Sequence, residues 1–100
     1  MAITVQIWMA VDNLVTNQFK KDVKLCAKRG KPMDALKSVI EQLLESGQLP
    51  ARYKPHKLAG QLKGLWECHI QPDWLLIWEQ RDDELIMLMT RTGTHADVFD

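Results

Sequence analysis

Cysteine is scarce in this chain. Cys26 and Cys68 are the only two, too few for a disulfide framework or a thiolate metal cluster. Both sit on apolar stretches, which predicts two buried free thiols. Serine is equally sparse: Ser38 and Ser46 lie in or at the end of a predicted helix, so a serine-based triad has little support. No apolar run approaches the roughly 20 residues of a membrane span. The apolar stretch from Ala2 to Ala10 lacks a positive leading region and a clear cleavage site, so no secretory signal is expected and a cytoplasmic protein is read. Internal repeats and low-complexity segments are absent. What is present, 46% hydrophobic and 26% charged residues in a chain of 100, describes a single globular domain over residues 1–100 with one modest core.

The net charge is zero, yet the charges are unevenly placed. From Lys20 to Lys63 there are eleven Lys or Arg against four Asp or Glu, a balance of +7; the rest of the chain carries two against nine, a balance of −7. Such a bipolar molecule can bring a polyanion to one side without being basic overall.

Periodicity sets the order of elements. Ile3 to Met9 alternates like a strand, and Asp12-Asn13 reads as a turn. A helix follows, capped by Asn13 or Thr16, with Val15, Phe19, Val23, Cys26 and Ala27 as its apolar stripe and Gly30 as its stop. Pro32 is placed as the first residue of a second helix, whose buried face is Ala35, Leu36, Val39, Ile40, Leu43 and Leu44, and Gly47 closes it. The two helices should form an antiparallel hairpin on a sheet. Leu49 to Gly60 is read as a loop rich in basic, aromatic and imidazole groups.

Two strands joined at Gln71-Pro72-Asp73 come next. In the first, Trp66, Cys68 and Ile70 share an apolar face, while Leu65, Glu67 and His69 share the other. The second, Trp74 to Trp78, is apolar on both faces, as suits a central strand covered on both sides. Arg81-Asp82-Asp83 reads as a hairpin turn, Leu85 to Met89 as a strand ended by Arg91-Thr92-Gly93-Thr94, and His95 to Phe99 as a short strand or extended tail. The coarse order is β-α-α-β-β-β.

All three histidines, His56, His69 and His95, follow residue 55. Their spacing matches no compact zinc pattern. Imidazoles suit proton transfer near neutral pH, and cleaving RNA without a metal needs a base for the ribose 2′-OH, an acid for the departing 5′-oxygen, and cations for the phosphate. His56, His69 and His95 could supply the proton transfers; Arg91, Lys54 and Lys57 the phosphate contacts; Phe99 or Tyr53 a stacking surface.

Several stretches carry a resemblance: Phe19-Lys20-Lys21-Asp22-Val23-Lys24-Leu25, Tyr53-Lys54-Pro55-His56, His69, Pro72-Asp73-Trp74-Leu75-Leu76-Ile77 and Arg91-Thr92-Gly93-Thr94-His95-Ala96. With these, residues from about Thr16 to Phe99 resemble the RelE/ParE superfamily of bacterial toxins, in its YafQ-type messenger-RNA interferase branch. The resemblance implies an α+β fold, a two-helix hairpin packed on a twisted, mainly antiparallel sheet of four to five strands. It implies an endoribonuclease that needs no metal or other cofactor and cuts translated mRNA in the ribosomal A site, silenced by a cognate antitoxin. Carried over by position, the functional residues are His56, His69, His95 and Asp73, with Phe99 as terminal aromatic and Glu67 as accessory carboxylate. The roles implied are His69 as base, His56 as acid, Asp73 orienting an imidazole, and His95 with Arg91 stabilising the phosphate; acid and base could be exchanged. The alternatives are a gyrase-inhibiting toxin of the ParE branch and a catalytically silent relative that only binds an antitoxin.

Overall fold

The computed structural model describes residues 15–60, 64–81 and 86–99. The strand expected at Ile3 to Met9, the turns expected at Asp12-Asn13 and around Asp82-Asp83, and the alternative cap Asn13 lie outside them. Helix α1 spans Asn17–Lys28. Thr16 caps it, its hydroxyl accepting from the Phe19 amide at 2.9 Å and donating to the Thr90 carbonyl at 2.8 Å. Gly30, at φ +79°, follows the helix end in the left-handed conformation glycine adopts without strain. Val15, expected within the helix stripe, precedes it and forms an isolated parallel bridge with Met89. The buried face of α1 is Phe19, Asp22, Val23 and Cys26; Ala27 is exposed and a carboxylate has joined the apolar stripe.

Helix α2 is Met33–Ser46, with Pro32 as its N-cap, one residue earlier than expected of it, and Gly47 as its left-handed C-cap. It buries Leu36, Val39, Ile40 and Leu43, while Leu44 is 48% exposed rather than part of the core. A single 3-10 turn, Ala51–Tyr53, follows.

Among the described residues four strands make one antiparallel sheet in the order β1-β2-β3-β4: β1 His56–Lys57, β2 Leu65–Gln71, β3 Trp74–Arg81 and β4 Ile86–Gly93. The architecture is α+β, as expected. Strand β3 is internal, and Trp74, Leu75, Leu76, Ile77 and Trp78 are all buried, which accounts for its unbroken apolar run. Trp74, Leu76 and Trp78, with Cys68 and Met89, meet Phe19 and Val23 of α1 and Leu36, Val39, Ile40 and Leu43 of α2 in one core. The indole of Trp74 donates to the Thr92 hydroxyl at 3.0 Å, and that hydroxyl donates to the Leu75 carbonyl at 2.7 Å, so both buried polar groups are satisfied.

Three expectations are corrected here. The segment 49–60 is not all loop, because His56–Lys57 pairs with β2. Strand β4 is not ended by Arg91-Thr92-Gly93 but runs through them. The C-terminal residues are a helical turn, α3, His95–Phe99, rather than a strand. Thr94 and Asp97 explain the last point: the Asp97 carboxylate accepts from the Thr94 amide at 3.0 Å, and the Thr94 hydroxyl accepts from the Asp97 amide at 3.1 Å, a reciprocal capping box. Gly93 permits it, since a Cβ there would lie 2.9 Å from both Cβ and Oδ2 of Asp97.

Candidate active site

The strand register assembles the site. Paired residues in neighbouring strands project from the same face of a sheet. His56 pairs with Glu67, Glu67 with Ile77, and Ile77 with Arg91, giving one transverse row across all four strands. The adjacent row runs His69, Leu75 and Gly93. His56, Glu67, His69 and Arg91 therefore share the sheet face opposite the Cys68–Leu76 core side.

Glu67 is the centre of this face. It is only 5% exposed, although it stands on the side expected to be polar. Its Oε1 lies 3.2 Å from Nε2 of His56 and 3.9 Å from Nε2 of His69, and the two rings are 6.4 Å apart. Its Oε2 is buried and has no hydrogen-bond partner among the described residues. A buried carboxylate needs hydrogen-bond or charge partners, and among the described residues the two imidazoles are the titratable groups nearest to it.

The outer nitrogens of the rings fix the tautomers. His56 Nδ1 lies 2.8 Å from the Lys54 carbonyl, and His69 Nδ1 lies 3.3 Å from the Pro72 carbonyl. A carbonyl only accepts, so Nδ1 carries a proton in each ring. The His56 Nε2–Glu67 Oε1 contact then brings together two atoms that need one shared proton between them. Lys54 presents that carbonyl because it closes the 3-10 turn in a left-handed conformation, φ +51°. The His69 contacts are longer on both sides, which leaves its Nε2 the freer of the two.

The remaining predicted residues fall into two groups. Asp73, at the β2–β3 turn, accepts from the backbone amide of His95 at 3.0 Å. Its bond is to the main chain of His95 and not to an imidazole ring. The ring of His95 packs against Phe99, centroids 4.9 Å apart, and Phe99 is 38% exposed. Arg91 is tied on one side to Asp22 and to the Asp97 carbonyl. Lys57 alternates with His56 along β1, pairs with Trp66, and sets its ammonium 5.5 Å from the Trp66 ring, away from the imidazoles. Tyr53 packs against the core with Arg52 stacked on it, so its ring is not a free platform.

Sequence reasoning missed Asp22, Arg29 and Asp97, which bind the elements around Arg91. Arg29 pairs with Asp97 at 2.6 Å. That bond, with the amide of Thr94, holds the Asp97 carboxyl below its ordinary value, and the same bond raises the Arg29 guanidinium. Burial, reinforced by the Glu67 charge, pushes the Cys68 thiol up to about 12, and burial also raises Cys26. Both are free and buried, as expected. Among the described residues no group of three or more His, Cys, Asp or Glu side chains is arranged to hold a metal ion, and no helix is long and apolar enough to cross a membrane.

A small α+β domain that sets two imidazoles beside a buried carboxylate on one sheet face has the parts of a general acid–base catalyst. A family model described as the bacterial toxin of a type II toxin–antitoxin system, YafQ, matches residues 12–100. The chain is 44% identical over 85 residues to the mRNA interferase toxin YafQ of Escherichia coli K12, covering 84% of this chain and 90% of that protein. The E. coli DinJ–YafQ toxin–antitoxin complex matches at TM-score 0.80 and 42% identity, covering 87% and 94% of the two chains. A metal-bound toxin from Helicobacter pylori matches at TM-score 0.77 and 34% identity, covering 85% and 94%. The chain belongs to the YafQ family of type II toxins.

Proposed function

We propose that this protein is an endoribonuclease that cuts translated mRNA in the ribosomal A site by metal-independent acid–base attack of the ribose 2′-OH, and that a cognate antitoxin silences it. The observation that carries the reading is Glu67 Oε1 standing between the Nε2 atoms of two imidazoles. His69, whose Nε2 is less engaged, takes the 2′-OH proton. The 2′-oxygen attacks phosphorus, the 5′-oxygen leaves, and His56 gives that oxygen its proton. The products are a 2′,3′-cyclic phosphate and a 5′-hydroxyl. The Glu67 charge holds each imidazolium that forms, and Arg91 and His95 stabilise the phosphate. Phe99, half-exposed beside His95, offers a surface for a base, and Lys54 adds a cation at the rim. The resemblance to E. coli YafQ, an mRNA interferase toxin by name and found with DinJ, supports both the activity and the partner.

The test is expression of the protein alone and with the antitoxin encoded beside it, with mapping of mRNA 5′-ends, followed by cleavage on purified programmed ribosomes with and without a transition-metal chelator such as 1,10-phenanthroline. Codon-phased cuts that the antitoxin abolishes and the chelator leaves unchanged are expected. Growth arrest with DNA damage and intact mRNA would replace this reading with that of a gyrase inhibitor. Loss of cleavage in the chelator would restore a metal to the mechanism, as the metal-bound H. pylori relative invites one to test.

A further inference from the structure

Asp22 is a charged residue on the buried stripe of α1, between Phe19 and Val23, and is 6% exposed. Its carboxylate accepts from Arg91 Nε at 2.6 Å and Nη2 at 3.4 Å, from the Thr92 amide at 3.1 Å and from Gln18 Nε2 at 3.0 Å. Thr92 lies on β4, the end strand of the described sheet, so this bond satisfies an edge amide that β3 does not reach. Arg91 then donates from Nη2 to the Asp97 carbonyl at 3.1 Å, inside the turn of α3 that carries His95 and Phe99. The guanidinium is thus fixed from both sides while its side chain remains 28% exposed.

We propose that Asp22 is a positioning residue for the cleavage reaction, acting through Arg91: it holds the guanidinium at the edge of β4 and, through the bond from Arg91 to the Asp97 carbonyl, anchors the turn bearing His95. This rests on the endoribonuclease reading given above. A carboxylate suits the place because every neighbour is a donor. Asparagine is almost isosteric, but with its carbonyl oxygen accepting from Arg91 Nε and the Thr92 amide its NH2 meets two donors, Arg91 Nη2 and Gln18 Nε2, so it forfeits those bonds and the charge pairing. In a transition state with charge developing on the phosphoryl oxygens, a guanidinium held in place beforehand costs no reorganisation, whereas a loosened one does. The loss therefore falls on the rate of the bound complex more than on substrate affinity.

The experiment is a cycle of wild type, Asp22→Asn, Arg91→Gln and the double variant, assayed in single-turnover cleavage on programmed ribosomes, with rates corrected for folded fraction by circular dichroism. Asp22→Asn is expected to lower the cleavage rate about 10- to 100-fold, on the scale of one preorganised electrostatic contact, with half-saturation changed less than about threefold. In the Arg91→Gln background the same change is expected to cost less than about threefold, because its route is already cut. The His95 and Phe99 amide resonances of the free protein should shift in Asp22→Asn. A wild-type rate in Asp22→Asn, an undiminished loss in the Arg91→Gln background, or unmoved His95 and Phe99 resonances would each overturn the inference. A wild type that cuts no RNA removes the endoribonuclease reading and the catalytic role of Asp22 together; wild-type cleavage with an unaffected Asp22→Asn removes the inference alone.

Discussion

Glu67 stands opposite His56 across the β1–β2 pair, and its Oε1 lies 3.2 Å from the imidazole Nε2 while its other oxygen is buried without a partner among the described residues. A two-residue strand would contribute little to stability by itself. Its consequence is chemical, because the pairing fixes an imidazole from a connecting segment against a carboxylate in the body of the sheet.

Replacing that carboxylate should damage cleavage while sparing the fold. Glu67→Gln keeps the volume and can still contact both rings, but it cannot hold an imidazolium by charge. A loss of about 10²-fold in single-turnover cleavage is expected, at the lower end for one acid–base participant. Thermal unfolding should be unchanged or slightly higher, since an under-satisfied buried charge is removed. Cleavage at the wild-type rate would remove Glu67 from the chemistry.

The indole of Trp74 is both core and tether. Trp74→Phe removes its bond to the Thr92 hydroxyl and leaves a small void between the sheet and α1. A cost of about 1–3 kcal/mol is expected in urea denaturation. A change within experimental error would mean that the core closes over the missing ring and that the bond contributes nothing net.

Asp97 and Arg29 predict an acid limit to stability. The folded state holds the Asp97 carboxyl below its ordinary value, with the Arg29 bond as the largest cause. The unfolded chain therefore binds a proton at a higher pH than the folded one. The stabilisation is complete above the ordinary carboxylate value of about 3.9 and is lost as pH falls through the lower folded value. Wild type should resist urea better than Asp97→Asn at pH 7, and the two midpoints should converge on acidification. A constant difference at all pH values would show that the charge of Asp97 plays no part.

Cys68 should be almost inert until the protein opens. With its thiol pushed up to about 12, the thiolate fraction at pH 8 falls by about two-thousandfold relative to an ordinary cysteine near 8.5. A disulfide reagent such as DTNB should react with both thiols at once in denaturant and hardly at all in native protein. Fast reaction of native Cys68 would place it nearer to solvent than its burial indicates.

Much of this molecule was legible in the sequence. Gly30 and Gly47 marked helix ends because each takes a left-handed backbone, and the run from Trp74 to Trp78 marked the internal strand because both its faces are covered. The alternation through Trp66, Glu67 and Cys68 separated the core side from the site side. Other features depended on partners far along the chain. Nothing local shows that His56–Lys57 finds β2, and its two residues are too few for a pattern. Asp22 carries no local signal of burial, since its partner Arg91 lies 69 positions away. The C-terminal turn followed a local signal that alternation obscured, Thr94 with an acid three residues on.

The division of labour between the two imidazoles is open to a direct chemical test. A substrate whose scissile 5′-oxygen is replaced by sulfur needs no acid, because a thiolate leaves unaided. On ordinary RNA, His56→Ala and His69→Ala should each lose about 10²–10⁴-fold in single-turnover cleavage. On the sulfur substrate His56→Ala should recover to within about tenfold of wild type, while His69→Ala, lacking the base, should stay impaired. Wild-type cleavage of ordinary RNA by both variants, or sulfur that rescues His69→Ala and not His56→Ala, would contradict the assignment.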